Sequence, residues 1–360
     1  MKKYLTVLQW ILQSIQDRTL LPGDKLPSES ELCEQFSVSR NSVRSALREL
    51  AEEGVLESRK GIGTFFIRPP GRQPETATIG FVCFFTGSYI FPEIIKGCDQ
   101  ILYKNGFHIL LNQSEYDVEK ERNILLNLKK REVDGIIIEP VFSGEGKSNC
   151  DVLLDIQASG IPVVLIDNFF PEKNFTSVVM DDPSSGRTAA EYLWKMGHRK
   201  IGMFFQDDYL PKKRRASGFA DAIRRLGKEV PEKWIAGFQG QGPGSNIKEK
   251  AADFMRRRDL PTALFCSSDH DALQFIQEAE AQGFQVPGDI SIIGFDNSEI
   301  ARLEKISLTS IEHPSWYIGQ ISAKLLLDRI FYPEIEVRTE TVIAPRLVTR
   351  NSVRKLKGND

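Results

Sequence analysis

The chain has 360 residues, which exceeds the roughly 250–300 residues at which a single core stops growing, so two or more domains are expected. With 41% hydrophobic and 27% charged residues it has the composition of an ordinary globular protein, which excludes global disorder and collagen-like architecture. A formal net charge of −2 excludes a uniformly basic coat, so any DNA contact has to come from a local patch.

The first residues predict an amphipathic helix and no signal peptide. Leu5, Leu8, Leu12 and Ile15 recur at helical spacing before a turn at residues 21–24. Polar residues interrupt this apolar run, and no stretch of the chain reaches the eighteen or so apolar residues of a membrane span. Five scattered cysteines without a CxxC spacing argue against disulfides and zinc, so a cytoplasmic location is expected.

Two further helices separated by a tight break predict a helix-turn-helix. Ser28 and Glu31 form a capping-box pattern at the start of the second helix, and Ser39 is the expected N-cap of the third. The third helix has an apolar face for the core, formed by Val43, Ala46, Leu47 and Leu50. Helix, tight turn and helix form the supersecondary unit that reads DNA.

The polar side of the third helix is basic. Arg40, Arg44 and Arg48 lie at four-residue spacing on one stripe, and Asn41 joins Arg40 in the first turn. In the major groove, Arg can bond guanine bidentately and Asn can bond adenine. The alternative is a solvated charged helix.

Residues 1–68 as a whole resemble the GntR-type winged helix. The resemblance lies in the segments LPSESEL, VSRNSVRSAL and EEGVLESRKGIGTFF, the last of which contains two strand candidates, 55–58 and 64–67, around a basic tip. It implies a DNA-binding set that consists of Lys3, Tyr4, Ser39, Arg40, Asn41, Arg44, Lys60 and Gly61. The segment has ten basic and nine acidic side chains, so affinity should rest on geometry and dimerisation.

After residue 68 the pattern of the sequence changes. Residues 69–77, PPGRQPETA, predict a partly stiff linker because they contain three prolines and no apolar period. Short apolar runs then alternate with amphipathic helical stretches over residues 78–350: IGFVCFF, HILLN, VDGIIIEP, IPVVLID, SVVMDD, KIGMFF, ALFCSS and ISIIGF. This alternation predicts an α/β domain with two lobes, each a doubly wound parallel sheet.

Polar residues follow many of these predicted strands. They lie at 167–168, 181–182, 207–208, 267–269 and 296–297. Ligands of doubly wound sheets bind at the carboxyl ends of the strands, where carboxylates, amides and aromatic rings would suit a neutral polyol. Taken singly, each Asp could instead cap a helix.

No motif for catalysis, metal binding or nucleotide binding stands out. The glycine-rich segment 237–244 is expected to be a loop, because it contains Pro243 and follows no evident buried strand. The four histidines are spread out, and the side chains of Asp269, His270 and Asp271 diverge in direction. Neither a metal, a cofactor nor an enzymatic activity is therefore expected.

Residues 78 to about 350 resemble the effector domain of LacI/GalR regulators, itself similar to periplasmic sugar-binding proteins. The resemblance lies in VDGIIIEP, GIPVVLID, DDPSSGRTAAEYLWKMGHRKIG, RASGFADAI, FCSSDHDAL, VPGDISIIGFDN and LTSIEHP. With a GntR-type head and the segments SYIFPEIIKG, IEPVFSG and EHPSWYIG, the chain resembles the family of bacterial arabinose repressors. This implies L-arabinose as the effector, and release from operator DNA as its result.

The same resemblance implies a ligand-binding set. Arg215 in RASGF and Asp296 in GFDN match sugar-binding residues of the family, and Ser268 replaces the Asn of its usual Asn-Asp motif. The aromatic candidates are placed to stack on a sugar. The full set is Tyr89, Phe91, Phe170, Asp182, Arg215, Phe238, Ser268, Asp269 and Asp296.

Together these patterns predict a sugar-responsive repressor that binds its operator as a homodimer. The expected dimer surface includes the helix at residues 91–103. The alternatives are another sugar or a nucleoside-like effector, an activator, a periplasmic transport receptor and an enzyme of sugar metabolism.

Overall fold

The computed structural model describes residues 3–17, 19–67, 69, 76–86, 89–141, 148–171, 173, 175–240, 245–303, 305, 307–333 and 339–356. Most of the predicted linker, residues 70–75, lies outside them. The described residues form a helical head and two α/β lobes.

The head is a three-helix unit followed by a hairpin. It contains α1 (Lys3–Gln16), α2 (Glu29–Phe36), α3 (Arg40–Glu52), β1 (Leu56–Arg59) and β2 (Gly63–Phe66). The two strands pair antiparallel, so the hairpin is the wing that the sequence predicts.

The helix starts in the head are fixed by the caps that the sequence predicts. The Ser28 hydroxyl accepts from the Glu31 backbone N–H, while the Glu31 carboxylate accepts from the Ser28 N–H. At the next helix the Ser39 hydroxyl accepts from the Ser42 N–H. Such caps satisfy backbone donors that a helix start leaves without partners.

The buried face of α1 differs from the predicted one. Val7, Ile11 and Ile15 form the buried stripe, whereas Leu5 and Leu8 are only partly buried. Apolar residues occupy two adjacent stripes of this helix, so periodicity does not choose between them. Packing of α1 against α3 decides the face.

Two lobes follow the head. The first elements in chain order are β3 (Thr78–Cys83), α4 (Phe91–Lys104), β4 (His108–Gln113), α5 (Val118–Lys130), β5 (Gly135–Ile138), α6 (Cys150–Ala158), β6 (Val163–Ile166) and β7 (Thr176–Met180). They are followed by α7 (Asp182–Lys195), β8 (Ile201–Gln206), α8 (Leu210–Arg225), β9 (Ile235–Phe238), α9 (Ile247–Met255), β10 (Ala263–Cys266), α10 (Asp269–Ala281), β11 (Ser291–Asp296) and α11 (Glu299–Arg302). The last elements are β12 (Thr309–Glu312), α12 (Ser315–Phe331), β13 (Glu340–Ile343) and β14 (Arg346–Val348).

Each lobe is a six-stranded sheet with apolar cores on both faces. The amino-terminal lobe has the strand order β13-β7-β6-β5-β3-β4 and is parallel throughout. The carboxyl-terminal lobe has the order β14-β12-β11-β10-β8-β9, in which β14 is antiparallel to its neighbour. These are the two doubly wound sheets that the sequence predicts.

The chain passes between the lobes three times, after β7, after β12 and between β13 and β14. One sequence expectation is wrong: β9 is a strand that directly precedes the glycine-rich loop, and Gly237 and Phe238 belong to it. Its four residues carry too little apolar pattern to predict a strand.

Candidate functional site

The polar face of α3 is open to solvent. Arg40, Asn41, Arg44 and Arg48 are all exposed on it. Arg44 pairs with Glu29 of α2 at 2.9 Å, and its side chain is 63% exposed. Exposed pairs of this kind contribute little, so Arg44 can exchange Glu29 for a phosphate or a base edge. Four donors thus project from one helix face, as groove recognition requires.

The wing presents a smaller basic tip than the sequence predicts. Lys60 and Gly61 are exposed there, and Gly61 has φ +76°, which favours glycine. Arg59 is instead held by Glu57 and donates to the Lys104 carbonyl oxygen at 3.3 Å. That carbonyl belongs to the end of α4, so the wing touches the amino-terminal lobe.

Two further candidates lie on α1. Tyr4 is partly buried and packs against the core of the head, so it supports the helix. The side chain of Lys3 lies outside the described part of the chain.

A cavity of about 680 Å³ lies between the two lobes. It opens where the carboxyl ends of the strands of both sheets face each other, which is where ligands of doubly wound folds bind. Six of the predicted ligand-binding residues line it: Tyr89, Phe91, Arg215, Phe238, Ser268 and Asp296.

Three predicted residues lie elsewhere. Phe170 is 6% exposed and packs on Phe175 in the core beneath β5 and β6. The Asp269 carboxylate points away from the cavity, where it accepts from Ser298 at the start of α11 and from Ser310 of β12. Asp182 is buried behind Arg215. The direction of a side chain after a strand is set by the following loop, which the strand pattern does not reveal.

Arg215 is the fixed cation of the cavity. Its Nε donates to Asp182 at 2.7 Å, and its Nη1 donates to the Ser267 carbonyl oxygen at 2.9 Å. Its guanidinium carbon lies 3.4 Å from the centroid of the Phe295 ring. A Cβ on Gly186 would lie 1.9 Å from the Arg215 carbonyl oxygen, so α7 and α8 pack backbone to backbone. This close crossing brings Asp182 to Arg215, and burial raises the pKa of Asp182 to about 6 although Arg215 opposes the shift.

Acidic residues from both lobes line the cavity together with Arg215. Burial, followed by the charge of Asp167, raises the pKa of Glu139 well above its usual range. Burial also raises the pKa of Asp296, against the charge of Arg215. His313 Nε2 lies 2.7 Å from Asp167 Oδ1. Burial lowers the pKa of His313, but the charge and hydrogen bond of Asp167, together with the charge of Asp296, raise it overall.

Several of these residues are missing from the sequence-based set. Lys212 pairs with Asp271 at 3.0 Å, and Tyr209 donates its hydroxyl proton to Glu139. An aromatic wall was missed too, formed by Phe84, Phe85 and Tyr116. Glu139 directly follows β5, and His313 directly follows β12. A polar residue immediately after a buried strand is the sequence signal that could have identified both as cavity residues.

In the part of the chain that the structure describes, no helix combines the length and apolar character needed to cross a bilayer. Among the same residues, no three His, Cys, Asp or Glu side chains are grouped as metal ligands would be.

Comparison with protein families supports this architecture. The bacterial regulatory proteins of the gntR family match residues 3–66, and the periplasmic binding protein-like domain matches residues 190–353. The predicted winged head and two-lobed effector fold are thereby confirmed.

Individual relatives match over most of the chain. An arabinose metabolism transcriptional repressor of Geobacillus stearothermophilus is 34% identical over 357 residues, which cover 98% of each chain. The transcriptional repressor PurR of Klebsiella pneumoniae is 31% identical over 323 residues, or 88% of each chain. The structure of a LacI family regulator from Enterococcus faecium with bound ribose has a TM-score of 0.66 and 27% identity, and covers 78% of this chain and 100% of that one.

Proposed function

This chain belongs to the family of transcriptional repressors that join a gntR-type winged head to a periplasmic-binding-protein-like domain, and on that premise we propose that its effector is L-arabinose. It is a sugar-responsive repressor of operator DNA. L-arabinose fills the cavity and releases the operator, in the cytoplasm where the DNA is.

One observation carries this proposal: the cavity combines a fixed guanidinium, several carboxylates and an aromatic wall. Arg215 can donate to sugar oxygens, while Glu139 and Asp296 can accept from sugar hydroxyls. Phe84 and Phe238 can cover the apolar face of a sugar ring. A pentose has both hydroxyl groups for the polar side chains and an apolar ring face for the aromatic ones.

Sugar binding would act by stabilising the closed arrangement of the lobes. Groups from both lobes face the cavity, so a ligand that contacts both binds the closed state better. For release, the closed state has to hold the heads in a geometry that does not fit DNA, and a coupling of about 1–3 kcal/mol is typical.

Helix α4 offers a direct route from the cavity to the head. Tyr89 and Phe91 at its start line the cavity, while the Lys104 carbonyl at its end accepts from Arg59 of the wing. A shift of α4 on closure would therefore reach the wing without passing through the linker at residues 69–77.

We further propose that the repressor is a homodimer that uses the outer faces of α4 and α12. Tyr103, Trp316 and Tyr317 are exposed on these two helices. Aromatic residues are enriched at protein interfaces relative to the rest of the surface. Sedimentation equilibrium should show a dimer for the wild type and a monomer for Tyr317→Glu.

The competing effector is ribose, because the related Enterococcus faecium structure contains bound ribose. A thermal-shift titration of the full chain with L-arabinose, D-ribose and other pentoses separates the two. The proposal expects the largest rise in melting temperature with L-arabinose, because a ligand stabilises the state that binds it by mass action. A larger rise with D-ribose would assign that sugar instead.

A further inference from the structure

The carboxyl-terminal end of the linker is fixed to the amino-terminal lobe by one carboxylate. Asp134, which directly precedes β5, accepts three hydrogen bonds at Oδ2: from the Thr76 N–H at 3.2 Å, from the Thr76 hydroxyl at 2.9 Å and from the Thr78 N–H at 3.0 Å. The Asp134 N–H in turn donates to the Thr78 carbonyl oxygen at 2.9 Å. Hydrogen bonds to a carboxylate are stronger than those between neutral groups, so these bonds, which we name the Asp134 clamp, hold residues 76–78 firmly.

The residue inside the Asp134 clamp has a strained backbone. Ala77 has φ +52°, in the left-handed region that a residue with a Cβ rarely adopts. Its carbonyl oxygen accepts from the His108 N–H at 2.8 Å, at the start of β4. Strained conformations persist only where the surroundings fix them, and here bonds to both strands that flank β3 do so. The chain therefore enters the lobe in a single geometry.

The head rests on the same end of this lobe. Arg59 of the wing donates to the Lys104 carbonyl oxygen at 3.3 Å. In the turn before α2, a Cβ on Gly23 would lie 3.9 Å from Asn105 Nδ2. Lys104 and Asn105 end α4, and β4 begins at His108 after a short turn. The contact with the head and the Asp134 clamp thus lie together at the amino ends of the strands, opposite the cavity.

The contact between head and lobe depends on the length of the tether that joins them. A hydrogen bond of 3.3 Å, from an arginine that also pairs with Glu57, stabilises this contact only weakly. A short tether strengthens such a contact because it keeps the two surfaces at a high effective concentration, and a longer tether strengthens it less. Phe66 at the end of β2 is fully buried in the head, so at most residues 67–75 separate the head from the Asp134 clamp. Loss of the clamp would lengthen this tether.

We propose that Asp134 is a positioning residue that couples the amino-terminal lobe to the head, because its clamp keeps the wing seated on the end of α4. The coupling rests on the proposed function, in which sugar closes the lobes, and it adds the residue on which transmission depends. Glu139 lines the cavity at the other end of β5, so about 16 Å of strand separates Asp134 from the sugar. Asp134 therefore acts on the response to sugar and leaves sugar binding unchanged.

Limited digestion of the full chain with trypsin, without sugar, tests the attachment. Trypsin cleaves after arginine, and Arg72 lies within the linker. Because cleavage of a folded protein follows the population of its opened form, Asp134→Ala should be cut between head and lobes at least about fivefold faster than the wild type. The control Glu132→Ala removes the same charge from an exposed position in the turn before β5 and should be cut at the wild-type rate.

Fluorescence anisotropy with a labelled operator tests the coupling. The measured quantity is the ratio of the operator Kd with saturating L-arabinose to the operator Kd without sugar, which is about 5–150 for typical coupled sites. Asp134→Ala should lower this ratio at least about threefold, while calorimetric titration of the DNA-free protein gives a sugar Kd within about twofold of the wild type. The unchanged sugar Kd also shows that the variant folds.

Two further variants separate the position of this side chain from its charge and from folding. Asp134→Asn keeps an acceptor oxygen for the same donors, so it should restore most of the Kd ratio and of the resistance to trypsin. Thr76→Val removes only a hydroxyl donor, at an exposed residue outside the lobe's core. It should change both quantities in the same direction as Asp134→Ala and by less, and it decides the question if Asp134→Ala does not fold.

The outcomes distinguish this inference from the proposed function. Equal digestion rates for Asp134→Ala and Glu132→Ala, or an unchanged Kd ratio in Asp134→Ala, would overturn the role of the Asp134 clamp while the response to sugar stands. If L-arabinose leaves the operator Kd of the wild type unchanged, the proposed effector is wrong. The digestion rates, which involve no sugar, then decide by themselves whether Asp134 holds the head.

Discussion

Tyr89 of the amino-terminal lobe donates its hydroxyl proton to the carboxylate of Asp296 in the carboxyl-terminal lobe. A second tyrosine makes the opposite connection, since Tyr209 of the carboxyl-terminal lobe donates to Glu139. Tyr89 lies between β3 and α4, and Tyr209 lies between β8 and α8, so each follows the first strand of its lobe. The two bonds therefore cross the cavity in opposite directions and hold the lobes together around it.

The first prediction concerns this connection. Tyr89→Phe removes the bond to Asp296 and the acceptor for the backbone N–H groups of Asp269 and His270. The closed arrangement should lose about 1–1.5 kcal/mol, so sugar should bind roughly five- to fifteenfold more weakly in calorimetric titration. Tyr192→Phe, at a partly buried site on α7 that does not line the cavity, is the control. Equal affinities of the two variants would show that the bond does not stabilise closure.

The second prediction concerns Arg215. Arg215→Ala should abolish release of the operator by sugar while the winged head still binds DNA. Because it leaves Asp182 buried without its partner, it should also cost about 3–5 kcal/mol of stability.

The double variant Arg215→Met with Asp182→Asn separates these two effects. It removes both buried charges, so the melting temperature should recover toward that of the wild type while the sugar response stays lost. A double variant that releases DNA normally would remove Arg215 from the sugar site.

The third prediction concerns the face of α3. Arg40→Ala should cost about 1–3 kcal/mol of specific operator binding and relax the preference for one base pair. Arg225→Ala removes the same charge from an exposed position on α8 and is the control in gel-shift titrations. Identical titration curves for the two variants would assign Arg40 no part in base recognition.

The fourth prediction concerns pH. Glu121 is fully buried, accepts from Val141 N–H and Asn149 Nδ2, and has a pKa that burial raises to about 7. The folded state therefore binds a proton that the unfolded state has released above about pH 4.5, so stability falls as pH rises from about 4.5 to 7. The fall should reach about 3 kcal/mol at most.

Glu121→Gln tests this linkage because the amide does not titrate. Differential scanning calorimetry at pH 5 and pH 8 should show a larger drop in melting temperature for the wild type than for the variant. An equal drop would mean that Glu121 is charged in the folded state at both pH values.

Local features were the ones that the sequence could predict. The caps at Ser28 and Ser39 and the buried face of α3 depend on residues within one helix, and the structure has them as expected. The alternation of strands and helices likewise predicted both sheets. Arg215 and Asp296 were predicted as ligand-binding residues from the resemblance to a family, and both line the cavity.

Features that depend on distant residues could not be predicted. His313 and Asp167 are 146 residues apart, and Tyr89 and Asp296 are 207 apart, yet each pair shares a hydrogen bond. Such pairs form only once two lobes have folded and met. Phe170 was misplaced for a related reason, because packing against Phe175 determines which way its ring points.

The central claim is that a sugar in the cavity controls the affinity of the winged head for DNA. Its most direct test is fluorescence anisotropy of a labelled operator duplex, selected from random DNA by the protein itself, during titration with L-arabinose. The account predicts that anisotropy falls to the value of free DNA at millimolar sugar. Anisotropy that stays at the bound value throughout the L-arabinose titration would contradict it.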